Sequence, residues 1–245
     1  MSLTGKVVLI TGASKGIGKA TALRVASEGA SVVLNYNTDA LSAENLVKEI
    51  GGDRALAVQA DASKLPDLDR LVDATVQKFG KIDILIPNAG ILPMRDLEHT
   101  TEADFDFTYN LMVKGPYFLA QKAAKHISPG GRIILVSTGV TVLSNILPTY
   151  LLYASAKAAV EQMTRVMAKD LARQGILVNC IAPGPTTTGL FLEGKSDQML
   201  NMIAGLSPFG RIGEPEEIAN AVSFLCGKDS SWVSGQILRV NGAMA

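Results

Sequence analysis

Tyr153 and Lys157 stand four residues apart in Tyr-Ala-Ser-Ala-Lys, a spacing that sets a phenol and an ammonium on one face of a helix. There the cation can stabilise a phenolate. Lowering a phenol's pKa from ~10 by ~2 to 3 units takes ~3 to 4 kcal/mol of preferential stabilisation, within reach of a nearby ammonium in a dry cleft. Such a phenol can exchange a proton with an oxygen whose charge changes during reaction. A second group lies at the other end of the chain. Gly12, Gly16 and Gly18 follow the apolar run Val-Val-Leu-Ile-Thr11 and open a helix, so strand, turn and helix N-terminus coincide where backbone N–H groups can hold a pyrophosphate. The spacing Gly-x-x-x-Gly-x-Gly is one residue longer than the usual dinucleotide fingerprint. A phosphate loop of the ATP-hydrolysing kind is excluded, because Ala13 and Ala20 occupy its Gly and Ser/Thr places. A proton donor beside a nicotinamide is what carbonyl reduction requires.

The elements that must bring these groups together alternate along the chain. Strands are predicted at Lys6 to Thr11, Ser31 to Asn35, Ala55 to Gln59, Ile82 to Pro87, Arg132 to Ser137, Ile176 to Ile181 and Gln236 to Val240. Helices are predicted between them at Gly16 to Glu28, Ala40 to Ile50, Pro66 to Phe79, Glu102 to His126, Leu152 to Arg173 and Pro215 to Cys226. That rhythm reads as α/β, a buried parallel sheet wrapped by helices on both faces. No linker divides residues 1–245, so one domain is expected. Residues 183–213 break the rhythm with Gly, Pro and Thr followed by Leu190, Phe191, Leu192, Met199 and Met202, and read as a substrate loop or a surface helix.

Composition removes several function classes. Lys plus Arg equals Asp plus Glu at 23 each, so no global field attracts nucleic acid or an anionic membrane. Cys180 and Cys226 lack metal spacing, and His99 and His126 are far apart, so neither a metal site nor a disulfide framework is expected. The chain shows no secretory signal and no 18-residue apolar run, which reads as a cytoplasmic protein with no membrane partner.

The ordered set Thr11-Gly-x-x-x-Gly-x-Gly18, Asp61, Asn88-Ala-Gly90, Asn110, Tyr153-x-x-x-Lys157 and Pro183-Gly184 resembles the short-chain dehydrogenase/reductase family over Lys6 to about Gly242. The resemblance implies a single Rossmann-type domain with a seven-stranded parallel sheet of order 3-2-1-4-5-6-7. It implies Tyr153 as proton donor and Lys157 as the group that tunes it and binds the nicotinamide ribose. It implies that Asn110 interrupts a helix and holds a water that resupplies the proton. Cofactor contacts are implied for Gly12, Ser14, Lys15, Gly16, Ile17, Gly18, Asp61, Asn88, Ala89, Gly90, Pro183, Gly184, Thr186 and Thr188, with Ile181 and Thr188 the candidates at the carboxamide. The family's serine after the fifth strand is replaced. Thr138 falls at its position, fifteen residues before Tyr153 rather than about thirteen, which implies a short insertion in Gly139 to Thr149. Ser137, pointing the other way on an alternating strand, is the alternative hydroxyl. Tyr150 has Ala154 four residues on, lacks a cationic partner, and is expected to pack or line the pocket.

Charge argues the cofactor's identity. The second strand ends Val33-Leu34-Asn35-Tyr36-Asn37, without the acid that bonds the ribose 2′-hydroxyl of NAD, while Lys15, Asn37 and Thr38 can meet a 2′-phosphate. NADPH is therefore expected, with NADH the alternative should Asp39 swing back. The expected activity is reduction of a small-molecule carbonyl substrate, reversible as alcohol oxidation; the alternative is a catalytically weak regulatory or scaffold protein of the same fold. The two long helices correspond to the family's tetramer-forming pair, so a homotetramer is expected.

Overall fold

In the computed structural model, which describes residues 2–244, the central strands are apolar and buried while the edge strands are more exposed. The strands are β1 (Val7–Ile10), β2 (Ser31–Tyr36), β3 (Ala55–Gln59), β4 (Ile82–Ile86), β5 (Ile127–Val136), β6 (Leu177–Pro183) and β7 (Ile237–Val240). All pair in parallel, in one sheet of order β3-β2-β1-β4-β5-β6-β7. Alternation along each strand divides the core in two. Val8, Ile10, Val32, Leu34, Ile84 and Ile134 face one layer, where α1 (Gly16–Ser27), α2 (Ala40–Ile50) and α9 (Pro215–Cys226) pack. Leu9, Val33, Leu85, Ile133, Leu135 and Val178 face the other, against α3 (Leu65–Phe79), α5 (Gly115–Ala124) and α6 (Leu151–Leu171). The strand order reverses between β1 and β4, which opens a crevice at the carboxyl ends of the strands, where open α/β sheets bind ligands.

Three boundaries differ from the sequence expectation. The helix predicted over 102–126 is broken into α4 (Glu102–Tyr109), a π-turn at Asn110–Lys114, and α5. Pro116 is the cause: it has no N–H to give and its ring crowds the carbonyl four residues back, so Gly115 N reaches back to Asn110 O instead. Gly115 is fixed by a close approach, since a Cβ there would stand 2.3 Å from Ala62 O. β5 begins at Ile127, before the predicted Arg132, and shifts register against β4 between Ile82 and Ile84. Residues 183–213, expected as one loop or one helix, hold two short helices, α7 (Gly189–Leu192) and α8 (Asp197–Gly205). Among the described residues no helix is long and apolar enough to cross a membrane, and no cluster of metal-ligating side chains forms.

Candidate active site

The turn between β1 and α1 is held by side chains bonding to backbone. Asn88 Nδ2 donates to Thr11 O at 2.9 Å and to Gly12 O at 3.1 Å, and Ala89 N donates to Thr11 Oγ1 at 3.0 Å. Asn35 Oδ1 accepts from Gly12 N at 3.2 Å while its amide donates to Ala60 O at 2.8 Å. Asn35 was not singled out in the sequence; its signal was an amide near the end of an apolar strand, and in the structure it is 2% exposed. Gly12 has φ +62°, and a Cβ on Gly18 would stand 2.3 Å from Gly12 O and 2.6 Å from Asn88 Nδ2. Both positions therefore require glycine.

This turn fits a pyrophosphate. Lys15 at the N-cap offers no side-chain oxygen and the first turn of α1 carries no acid, so the leading N–H groups at Gly16, Ile17 and Gly18 stay open to an anion. By contrast Asp39, Thr101 and Ser196 cap α2, α4 and α8. Ser14 is buried below the turn and Lys15 is exposed above it. Thr188 arrives from the carboxyl-terminal excursion: a Cβ on Gly16 would lie 3.2 Å from Thr188 Cγ2.

Asn37 and Thr38 are exposed after β2. Asp39, the acid that could have swung back, accepts from Ser42 N at 3.1 Å as the cap of α2. Asp61, expected at the adenine, accepts from Ser63 N at 3.0 Å and Ser63 Oγ at 2.7 Å and lies 3.4 Å from Lys64 Nζ. Burial pushes its carboxyl up, but these hydrogen bonds outweigh it and hold the group below the usual range.

At the carboxyl end of β5, Lys157 is 6% exposed and donates from Nζ to Val136 O at 2.8 Å. The same ammonium lies 3.8 Å from where Gly90 would carry a Cβ, so α6 and the Asn88-Ala-Gly90 segment meet there. Tyr153, one turn earlier on α6, is half-buried. Its phenol is pushed up to about 12 by burial; the Thr138 hydroxyl pulls it back through a hydrogen bond and Tyr150 adds to the rise. The spacing led us to expect Lys157 to depress this phenol. In the structure the ammonium is turned to the Val136 carbonyl, and burial acts on both groups, bringing Lys157 down to about 8. Tyr150 packs edge-on against Tyr153, centroids 6.4 Å apart, as expected of a packing residue.

Of the two candidate hydroxyls, Thr138 is the one beside Tyr153. Ser137 turns instead to the next turn of α6, where it donates to Glu161 Oε1 at 3.0 Å. Residues 139–150 contain two short 3-10 turns, Gly139–Val142 and Pro148–Tyr150, the second leading directly into α6. Asn110 opens the π-turn, as its helix-interrupting place in the family pattern implied. Pro183 ends β6, Gly184 N donates to Val240 O at 2.9 Å, and Thr186 Oγ1 donates to Gly184 O at 2.9 Å. Ile181 is a correction. It is fully buried in the core and its carbonyl accepts from Ser137 N at 2.8 Å, leaving Thr188 as the accessible member of the pair proposed for the carboxamide.

Comparison with known proteins agrees with this geometry. A family model described as enoyl-(acyl carrier protein) reductase matches residues 12–244. A hydroxynaphthalene reductase-like protein of Metarhizium robertsii is 41% identical over 255 residues, covering 98% of this chain and 95% of that one. An NADPH-dependent aldehyde reductase-like chloroplastic protein of Arabidopsis thaliana is 38% identical over 258 residues, covering 99% and 95%. Among solved structures, a short-chain dehydrogenase from Burkholderia cenocepacia in complex with NADP superposes with a TM-score of 0.94 at 33% identity, covering 100% of this chain and 99% of that one. Identity at this level over nearly the whole length leaves one assignment: the chain belongs to the short-chain dehydrogenase/reductase family of NAD(P)-dependent oxidoreductases.

Proposed function

We propose that the protein reduces a ketone at the expense of NADPH, the same groups running alcohol oxidation in reverse. The observation that carries this reading is the meeting of Thr138 and Tyr153 over a buried Lys157, at the strand ends that also bear the glycine turn. NADPH, when bound, supplies hydride to the carbonyl carbon. Thr138 donates a hydrogen bond to the carbonyl oxygen and so fixes its direction. Tyr153 gives its proton to the alkoxide as charge develops there. A phenol held protonated, about 12, is the form this step needs. Lys157 uses one N–H on Val136 O and keeps two for the ribose and for the phenolate left behind. The Asn110 π-turn is the proposed route of proton return.

NADPH is favoured over NADH because Asp39 is committed to capping α2 while Lys15, Asn37 and Thr38 stand exposed near the end of β2. The names of the relatives support it: one is an NADPH-dependent aldehyde reductase-like protein, and two neighbours at 33% identity were solved with NADP and NADPH. The alternative of a catalytically weak dinucleotide binder draws on Thr138 and on the lengthened Gly139 to Thr149 segment; the nearness of Thr138 to Tyr153 weakens the first of these motives. We also propose self-association through α4, α5 and α6, whose Phe105, Phe107, Tyr117 and Val166 are exposed. Sedimentation as a monomer at working concentration would remove that proposal.

The decisive assay is NADPH oxidation across ketones, quinones, hydroxynaphthalenones and 3-oxoacyl thioesters. Tyr153→Phe is expected to lower kcat by about 10²- to 10⁴-fold without weakening NADPH binding. Turnover untouched by Tyr153→Phe would sink the mechanism, and preference for NADH would sink the cofactor assignment.

A further inference from the structure

Glu161 lies one helical turn beyond Lys157, so Tyr153, Lys157 and Glu161 recur at four-residue steps along one face of α6. Only 6% of Glu161 is exposed. A carboxylate this deep is costly unless its oxygens accept hydrogen bonds. One oxygen, Oε1, accepts twice, from Ser137 Oγ at 3.0 Å and from Thr141 Oγ1 at 2.5 Å. The other faces the half-exposed Arg165 guanidinium at 3.7 Å. The two donors flank Thr138, one at the end of β5 and one in the turn that follows. Ser137 Oγ also lies 3.3 Å from Lys157 O on α6, and Thr141 Oγ1 lies 3.0 Å from Thr138 O within the bend, so the Glu161 oxygen is the point on α6 that Ser137 and Thr141 share.

Thr138 has little of its own to hold it. Among the described residues its hydroxyl accepts a long contact from Val140 N at 3.4 Å and lies near the Tyr153 phenol. Its position therefore depends on the residues on either side. We propose that Glu161 is a positioning residue, which clamps Ser137 and Thr141 to the helix carrying Tyr153 and thereby aims the Thr138 hydroxyl at the oxygen Tyr153 protonates. The proposal rests on the ketone-reduction reading above and adds to it a residue that touches neither substrate nor cofactor.

The test combines kinetics with amide exchange. Glu161→Leu removes both acceptors and is expected to lower kcat about tenfold or more, since sub-ångström misplacement at a reacting centre is expensive. The NADPH dissociation constant should stay within about threefold of wild type, a shift of under one decade in binding. Glu161→Gln keeps an oxygen for both hydroxyls and should recover most of the lost kcat. Because Glu161 acts through Thr138, the loss on Glu161→Leu should vanish in a Thr138→Ala background rather than add to it. Full additivity of the two losses, no loss of kcat, or a parallel loss of NADPH affinity would overturn the proposal. If Glu161→Leu does not fold, Thr141→Val, which deletes one donor, takes its place in the same cycle with the same reading of additivity. Exchange keeps the clamp separate from the enzyme assignment. Protection of residues 138–142 should fall in Glu161→Leu and return in Glu161→Gln whether or not a substrate has been found, and unchanged protection would overturn the clamp even in an active enzyme.

Discussion

The two walls of the crevice are built in opposite ways. On the amino-terminal side, the turn after β1 is tied by the Asn88 and Asn35 amides and the Thr11 hydroxyl, over strands whose side chains are fully buried. On the carboxyl-terminal side, α8 buries none of its residues, and Met199, Met202, Leu206 and Phe209 are exposed at 43%, 64%, 61% and 71%. The first wall must present the same atoms at every turnover, and uses short-range hydrogen bonds that tolerate no added Cβ. The second has few buried contacts to lose on moving, the condition under which a segment opens locally at low cost. The glycine turn is thus the locked wall, Tyr153 and Lys157 stand on α6 at the end of β5, and we propose that variation in substrate falls to the loose wall.

The sharpest way to break this contrast is Gly18→Val. Its Cβ would fall 2.3 Å from Gly12 O and 2.6 Å from Asn88 Nδ2, so the turn must open or the chain must strain. We expect a loss of more than ~3 kcal/mol in stability together with NADPH binding, the scale of strained core substitutions. Retention of tight NADPH binding in a folded variant would show that the turn is less locked than its geometry implies. Next in size is the buried charge on Lys157. Its pKa is lowered to about 8 in the folded chain against 10.5 for a free lysine, so between those values the unfolded chain binds more protons and stability rises with pH. Below pH 8 the burial cost is fully present. Wild type should therefore gain on Lys157→Met between pH 7 and 10 by up to ~3 kcal/mol in denaturant titrations. Above pH 10 the raised Tyr153 phenol works the other way, so the comparison stops there. A pH-independent difference between the two proteins would mean that Lys157 is better solvated than its setting indicates.

Asn35→Leu is the third. It leaves Gly12 N and Ala60 O without their partners, and about 1–3 kcal/mol is expected for such unsatisfied buried groups, with NADPH affinity falling alongside. This residue also marks where sequence reading stopped. The glycine turn and the Tyr153–Lys157 helix were legible because they are carried by local spacing and apolar runs, whereas the sheet order came only through the resemblance of the ordered motifs to the short-chain dehydrogenase/reductase family. Asn35 and Glu161 were passed over because their partners, Gly12, Ser137 and Thr141, lie more than a turn away in the chain and only the fold brings them close. The π-turn was implied only by the family place of Asn110; the apolar pattern ran on through Pro116 and read as one helix. The direction of the Tyr153 shift escaped for a different reason. A four-residue step places two groups on one face but says nothing about depth, and depth decided the sign.

The smallest effect belongs to the loose wall. Met202 is 64% exposed on α8, so Met202→Gln removes little buried area and should leave stability within about 0.5 kcal/mol of wild type. The same substitution puts an amide into the run of exposed apolar side chains formed with Met199 and Leu206. If that run closes on substrate, KM for an apolar ketone should rise severalfold while kcat, set in the proposed mechanism by Tyr153 on α6 and Thr138 after β5, stays nearly constant; uniform loss of binding energy raises KM alone. A polar ketone of similar size should show a smaller rise, because less apolar surface is withdrawn from water on binding. An unchanged KM for both would place the substrate elsewhere, against the 91–97 segment and the 139–149 turns. A fall in kcat equal to the rise in KM would mean that α8 helps to set the reacting geometry, and the division between a locked and a loose wall would have to be redrawn at Thr188, where the excursion already touches the first turn of α1.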